Sequence, residues 1–510
     1  MTDTIGNNKR IAKNTLLLYV RMFVMMFTAL FTSRIVLQVL GETDYGIYNI
    51  IGGVVVLFSF LNSALLSATQ RFLNFYLGKK DEETTHKVFC MSMNSYIILS
   101  LVFIVLGETI GLWFVNTQLN IPAERMYAAH WVYQFSLMTF IVNLIRVPYN
   151  ATIIAYERMD FYAYLSLGEV ILKLLVVYLL YITIYDKLIL YALLYLLVPV
   201  IITWIYKVYC NRSFKISHYK RFWNKDMFRQ LFSFSGWSLF GSLANLAASQ
   251  GLNIFVNIFY GVTVNTALGI ANQVSNNVYN FISNFQMAFN PQIVKSYAAG
   301  ETGHLYNLMF SASKMSYFLL LVIALPVVLN IDLILDLWLV NVPLYTNIFT
   351  QLILGFFLIE ALSSPLWMLV QATGKIKQYQ ILMGALIFLN FPLIYLVLKL
   401  NQPVYYAWII RIIINIIVFL FRCFYLKKKF GFPLQEYYIN VIFPISIVTI
   451  IVYPLSFIVK NIICEYWLQF ITSILFTISF TITTIYVLGI NRKEKKIIKD
   501  IVRTKFLISK

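Results

Sequence analysis

Eight ionisable side chains stand in stretches that are otherwise apolar. Arg21, Arg34, Arg146, Lys173 and Arg411 are basic; Glu108, Glu169 and Glu360 are acidic. A charged residue at the centre of a membrane helix costs roughly 2.5–3.5 kcal/mol on insertion scales, so each needs a reason to be there. Basic groups outnumber acidic ones. Guanidinium and ammonium groups lining a wet cavity would draw in a phosphate or an acidic sugar. Arg34 and Arg146 have a second reading, because they lie near the ends of their apolar runs and could snorkel to lipid headgroups. Glu169 and Lys173 are four residues apart with the acid first, the favourable order for a helical pair. Either they neutralise each other, or Glu169 takes up and releases a proton or sodium ion. Glu360 has no partner nearby in sequence and is the other candidate for ion exchange.

Amides and hydroxyls form a second pattern. In the run 229–258, Ser238, Ser242, Asn245, Ser249, Asn253 and Asn257 recur at steps of three and four, which puts them on one helical face. The run 264–290 repeats the layout with Asn265, Gly269, Asn272, Asn276, Asn280 and Ser283. Two such faces could hydrogen-bond sugar hydroxyls in a cavity. They could equally join helices, since polar contacts between membrane helices average about 0.6 kcal/mol.

The elements that carry these groups follow from composition. Hydrophobic residues make up 60% of the 510-residue chain and charged residues 12%, against about 25% charged in a soluble domain. A span needs about 20 apolar residues. Fourteen such runs are counted, from 14–40 and 45–70 to 463–489, with no segment left for a soluble domain. The chain is therefore read as an all-α polytopic integral membrane protein. With the N-terminus inside, 27 of the 40 Lys and Arg fall in inside segments, four fall outside and nine lie within or at the ends of spans. That asymmetry obeys the positive-inside rule and places both termini in the cytoplasm. The net charge of +19 is thus topological and no sign of nucleic-acid binding.

The chain also repeats itself. A shift of 220 residues brings Gly41 onto Gly261, Thr43 onto Thr263, Ile50 onto Ile270 and Val54 onto Val274. A shift of 217 brings Pro148 onto Pro365, Ala155 onto Ala372, Arg158 onto Lys375 and Tyr162 onto Tyr379. Six spans separate the copies, so both enter the membrane in the same sense, as two parallel-repeat six-helix bundles. The expected organisation is a first bundle over 1–210, a basic cytoplasmic linker over 211–228, a second bundle over 229–430, and a helix pair with a basic tail over 431–510. Two halves already make one pathway, so a monomer is expected.

Enzyme chemistry finds little support. There is no G-x-x-x-x-G-K-[ST] loop and no H-E-x-x-H. The four cysteines and four histidines are scattered, which indicates neither a disulfide framework nor a metal site, and no cofactor is implied. The outer loops are short.

The opening hairpin, SRIVLQVLGETDYGIYNIIGGVV from Ser33 to Val55, resembles polysaccharide-transporter family proteins. These are the O-antigen and lipid-linked oligosaccharide flippases of the multidrug/oligosaccharidyl-lipid/polysaccharide exporter superfamily. Leu40-Gly41 through Gly46-Ile47-Tyr48 carries the most recognisable motif, and its glycines are structural. The resemblance implies twelve spans in two bundles plus a terminal pair, and a cationic lumen. It implies alternating access that moves an undecaprenyl-pyrophosphate-linked repeat unit to the outer leaflet, coupled to H+ or Na+. The setting it implies is the bacterial inner membrane, where surface polysaccharide or lipopolysaccharide O-antigen is made beside polysaccharide assembly enzymes. Three alternatives stand beside it. A multidrug/cation antiporter of the same superfamily predicts an acidic cavity. A lipid-linked peptidoglycan-precursor flippase would suit the same cationic cavity. A membrane-embedded polymerase or acyltransferase predicts a large outer loop or clustered His and Asp.

Overall fold

The computed structural model describes residues 21–25, 28, 35–36, 39–41, 44, 47–48, 51, 60–117, 121–182, 185–339, 342–462, 466–491 and 494–495. All regular structure among them is helical. The first part contains α1 (Phe60–Gly78), α2 (Glu82–Leu106), α3 (Met126–Ala155), α4 (Met159–Ile182) and α5 (Lys187–Ser213). A long element, α6 (Lys225–Ala298), follows and kinks at Gly261. Then come α7 (Thr302–Leu329), α8 (Ile331–Trp338), α9 (Thr346–Thr373), α10 (Lys377–Phe388), α11 (Asn390–Lys399) and α12 (Tyr406–Phe430). The last two are α13 (Phe443–Ile462) and α14 (Tyr466–Thr484).

Eleven helices among the described residues are long and apolar enough to cross a membrane. Of the fourteen expected, the runs 14–40 and 45–70 lie largely outside the described residues. The run 264–290 is helical, but its asparagines keep it out of the eleven.

The chain forms two compact units, which part between Leu239 and Phe240. In the first, α3 is central and packs on α1, α2 and α5. Its Ala128, Ala129, Val132, Tyr133 and Leu144 join Ile51, Val115 and Leu188 in one buried cluster. In the second, α9 packs on α7 and α12, with Phe349, Ile353, Leu354 and Ala361 fully buried. These two central helices are the ones that carry Pro148 and Pro365, the residues matched by the 217 shift. The neighbouring helices keep exposed faces of large aliphatic residues, such as Leu101 and Val105 on α2 and Ile171 and Leu175 on α4.

Backbone geometry supports the duplication independently of residue identity. Gly41 and Gly261 have φ of +77° and +79°; Lys80 and Gly300, +58° and +75°; Glu157 and Gly374, +58° and +74°. The first two pairs are 220 residues apart and the third 217. Capping bonds repeat as well. Lys80 N donates to Leu77 O (3.0 Å) and Asp81 N to Tyr76 O (3.0 Å), while Gly300 N donates to Tyr297 O (3.2 Å) and Glu301 N to Ser296 O (3.0 Å). This is the left-handed cap that closes a helix C-terminus and favours glycine. The first half puts lysine where the second has glycine, at a steric cost of about 1 kcal/mol. Lys80→Gly is therefore expected to raise the thermal midpoint and Gly300→Lys to lower it, each by up to about 1 kcal/mol. A Cβ at Gly300 would meet nothing within 4 Å, so only backbone strain is being tested. Unchanged midpoints in both variants would remove the strain argument.

Candidate functional site

The first unit brings two of the basic residues singled out in the sequence onto one carboxylate, with a third farther along the same helix. Glu169 and Lys173 project from α4, and Arg146 comes from the second half of α3. Lys173 Nζ lies 2.9 Å from Glu169 Oε1, and Arg146 Nη1 lies 3.1 Å from Glu169 Oε2. Glu169 thus bridges two cations, only one of which is a helical neighbour. The Arg21 guanidinium stacks over Tyr162 at 4.4 Å. Its Nε finds no hydrogen-bond partner among the described residues. Tyr162 stands two helical turns before Glu169 on α4, so Arg21 lies against the same helix, and Arg146 lies over the Tyr206 ring at 5.9 Å. Lys173 also lies 5.2 Å from the Tyr195 ring. The side chains of Arg146, Glu169 and Lys173 remain 22%, 21% and 30% exposed. Three cations against one acid leave this region positive. Such a site can accept a dianion by charge-assisted hydrogen bonds, strengthened by its apolar surroundings.

The second unit holds a smaller group. Glu360 lies on α9, which packs against α12, the helix that carries Arg411, Asn415 and Arg422; Asn415 Nδ2 donates to Phe356 O at 3.4 Å. Arg411 stacks on Trp408 (4.6 Å) and Phe356 (5.0 Å). Arg422 is buried and donates through Nη1 to Ser363 O at 2.6 Å. Glu108, the third acid, lies on an exposed face and accepts from Gln134 Nε2 at 3.1 Å. Arg34 lies outside the described residues, as does the side chain of Asn257.

The two amide faces differ from each other. After the kink, Asn276, Asn280 and Ser283 are exposed and Asn272 is half-buried. Ala267, Leu268, Ala271, Ser275 and Ile282 occupy the opposite, fully buried side. Among the described residues, no hydrogen bond is seen from the side chains of Asn272, Asn276 or Asn280 to another helix. Before the kink, Asn245 is exposed and Ser249 and Asn253 are half-buried. Their side chains bond within their own helix, Asn245 to Gly241 O (3.0 Å), Ser249 to Leu246 O (2.9 Å) and Asn253 to Gln250 Oε1 (3.2 Å).

Several connected charges escape a reading of the sequence. Arg422 and Lys314 sit near the ends of their spans and pass for boundary charges. Arg125 passes for one of the few outer cations. It clasps two loops: Nε donates to Asp44 Oδ1 (2.8 Å), and Nη1 donates to Asp186 Oδ2 (2.6 Å). Asp186 also caps α5, accepting from Leu188 N (3.0 Å) and Ile189 N (3.2 Å). Burial raises the Asp186 pKa, but Arg125 and these amides outweigh it and hold the carboxyl below its ordinary value. A carboxylate depressed in the folded state contributes stability that is complete above its unfolded pKa, about 3.9, and lost as pH falls through the folded value. Asp186→Asn is therefore expected to lower the thermal midpoint at pH 7 and to converge with the parent as pH falls below about 4. A difference that stays constant with pH would show that the clasp is not ionic.

No family model matches the chain, and no curated protein matches its sequence. Solved structures match its fold. A MATE mutant is 14% identical, covering 84% of this chain and 97% of its own, with a TM-score of 0.72. An outward-facing multidrug resistance MATE family transporter of the MOP superfamily is 13% identical, covering 84% and 96%, with a TM-score of 0.72. A MOP superfamily transporter from Pyrococcus furiosus, whose binding pocket of reverse polarity suggests a different function, is 12% identical, covering 84% and 96%, with a TM-score of 0.71. The chain is thus a multi-pass membrane protein with the fold of MATE transporters of the MOP superfamily. The proteins it resembles in fold are transporters, not enzymes.

Proposed function

We propose that this protein is a flippase that carries a lipid-linked oligosaccharide across the membrane by alternating access. The observation that carries the reading is the pair of cations, Arg146 and Lys173, on the single acid Glu169, with Arg21 against Tyr162 of the same helix. A pyrophosphate offers two linked anionic groups, and the cluster offers cations on two helices plus Arg21. Arg34 and Arg411 are further candidates for binding the anionic part of the substrate. The sugars bind the amide faces formed by Asn245, Ser249, Asn253, Asn257, Asn272, Asn276 and Asn280. An exposed amide face is costly against lipid and favourable against water or hydroxyls, which supports this role. The lipid tail stays in the bilayer. When pyrophosphate engages Arg146 and Lys173, Glu169 loses its partners and takes up a proton or sodium ion, which couples transport to an ion gradient. Glu360, on the helix that packs against the one carrying Arg411 and Arg422, is the second coupling group.

A multidrug antiporter is compatible with the same fold, but a cationic drug would meet repulsion at three of the four charged groups. The Pyrococcus furiosus protein offers a precedent for pocket polarity separating functions within this fold. The experiment is to deplete the protein and ask which leaflet holds the lipid-linked saccharides, using a membrane-impermeant reagent. Single repeat units building up on the cytoplasmic side support the flippase and identify its glycan by mass. A disaccharide-pentapeptide lipid building up there instead assigns the peptidoglycan precursor. Unchanged pools with raised sensitivity to cationic drugs overturn the proposal in favour of the antiporter, and units stranded on the outer leaflet favour a polymerase.

A further inference from the structure

The segment that joins the repeats is clamped to the start of α2. His86, Cys90 and Asn94 recur at steps of four and so share one helical face. His86 Nδ1 lies 2.9 Å from Ile216 O. Lys220 N donates to Cys90 Sγ at 3.4 Å, and Asn94 Nδ2 donates to Phe222 O at 2.6 Å. Tyr219 returns the contact, its hydroxyl donating to Asn94 Oδ1 at 2.7 Å. Ile216 and Ser217 are buried beneath. Beside this clamp lies a cavity of about 310 Å³, lined by Asn94, Ile97, Tyr219, Arg221, Trp223 and their neighbours.

The cavity has two chemically distinct sides. Its basic side is Arg221, which lines it within a segment that is itself rich in lysine and arginine. Arg221 is exposed and makes no side-chain hydrogen bond among the described residues. Its wall is apolar, and Ile97 begins an exposed stripe that continues at steps of four through Leu101 and Val105 along the membrane-crossing part of α2. Exposed Tyr219 and Trp223 flank the junction, where amphipathic rings favour the interface between headgroups and hydrocarbon.

We propose that this cavity is a binding site for an anionic phospholipid. The phosphate sits on Arg221, and an acyl chain runs down Ile97, Leu101 and Val105. The apolar stripe that leads to the basic side points to a bilayer lipid rather than a soluble phosphate, which would have no use for it. The site is separate from the Glu169 cluster and does not depend on the flippase reading.

The test is native mass spectrometry of the full-length protein, supplied with equal amounts of phosphatidylglycerol and phosphatidylcholine of matched acyl chains. The parent is expected to retain phosphatidylglycerol about five-fold over phosphatidylcholine, the worth of one basic residue near an anionic surface. Arg221→Gln is expected to abolish that preference and Arg221→Lys to keep it. Because Arg221 is exposed and outside the clamp, neither substitution disturbs folding. Trp223→Ala should lower retention of both lipids. Equal retention by the parent, or an undiminished preference in Arg221→Gln, would overturn the proposal. So would release of phosphatidylglycerol by sodium pyrophosphate, which would assign the cavity to a soluble anion.

Discussion

Lys173→Gln is expected to slow transport by about 10- to 100-fold, the worth of one charge-assisted hydrogen bond at roughly 1.5–3 kcal/mol. Glutamine keeps most of the length and removes the charge. Glu169 retains Arg146 at 3.1 Å, so no buried acid is orphaned and the protein stays folded. Lys173→Arg keeps the charge and is expected to retain most of the rate. The measurement is the initial rate at which lipid-linked saccharide reaches the outer leaflet of vesicles containing each variant. A normal rate in Lys173→Gln would remove this cluster from the transport path. Glu169→Gln separates the two readings of the acid. If Glu169 only neutralises its neighbours, the variant binds anions more tightly and transport keeps its dependence on the ion gradient. If Glu169 carries the coupling ion, that dependence disappears.

Glu494→Ala is expected to lower stability by about 3 kcal/mol, the lower end for breaking a buried ion pair from one side. Lys314 on α7 is 3% exposed, and its Nζ lies 2.8 Å from Glu494 Oε2. The same oxygen accepts from Asn491 N at 2.8 Å, so one carboxylate ties the end of the last span to α7. Without it, a buried ammonium loses the carboxylate that pairs with it. Two features keep the cost at the lower end. A polar cavity of about 350 Å³ adjoins the pair, so water can reach Lys314. Glu436 also lines that cavity and offers a substitute partner. Adding Glu436→Gln to Glu494→Ala should therefore deepen the loss, while Lys314→Met in the Glu494→Ala background should recover most of it. Thermal unfolding in one detergent measures all four proteins. A loss below about 1 kcal/mol in Glu494→Ala would class the pair with exposed ion pairs.

The membrane class, the helical content and the duplication are legible in the sequence because each rests on local periodicity or on direct residue matching. Runs of about 20 apolar residues mark the spans. The 220 and 217 shifts, read from a few matched residues, fall on the positions where the backbone turns left-handed, including Lys80 and Glu157, which no identity would have flagged. The pairing of Glu169 with Lys173 is also local, being one helical turn, and is readable from spacing alone.

Spacing along the chain could not reveal the second partner of Glu169. Arg146 is 23 residues away and reaches it only because α3 and α4 pack together. The same holds for Arg125 between Asp44 and Asp186, and for Lys314 with Glu494, 180 residues apart. The sequence alone could list the charges and show that cations prevail within the membrane. Which charges meet, and which amides face away from the core, was decided by the tertiary structure. Hydropathy and helical period are properties of neighbouring residues. Coulomb and hydrogen-bond partners are set by which helix faces pack against each other, and that choice is made by close packing of the whole unit.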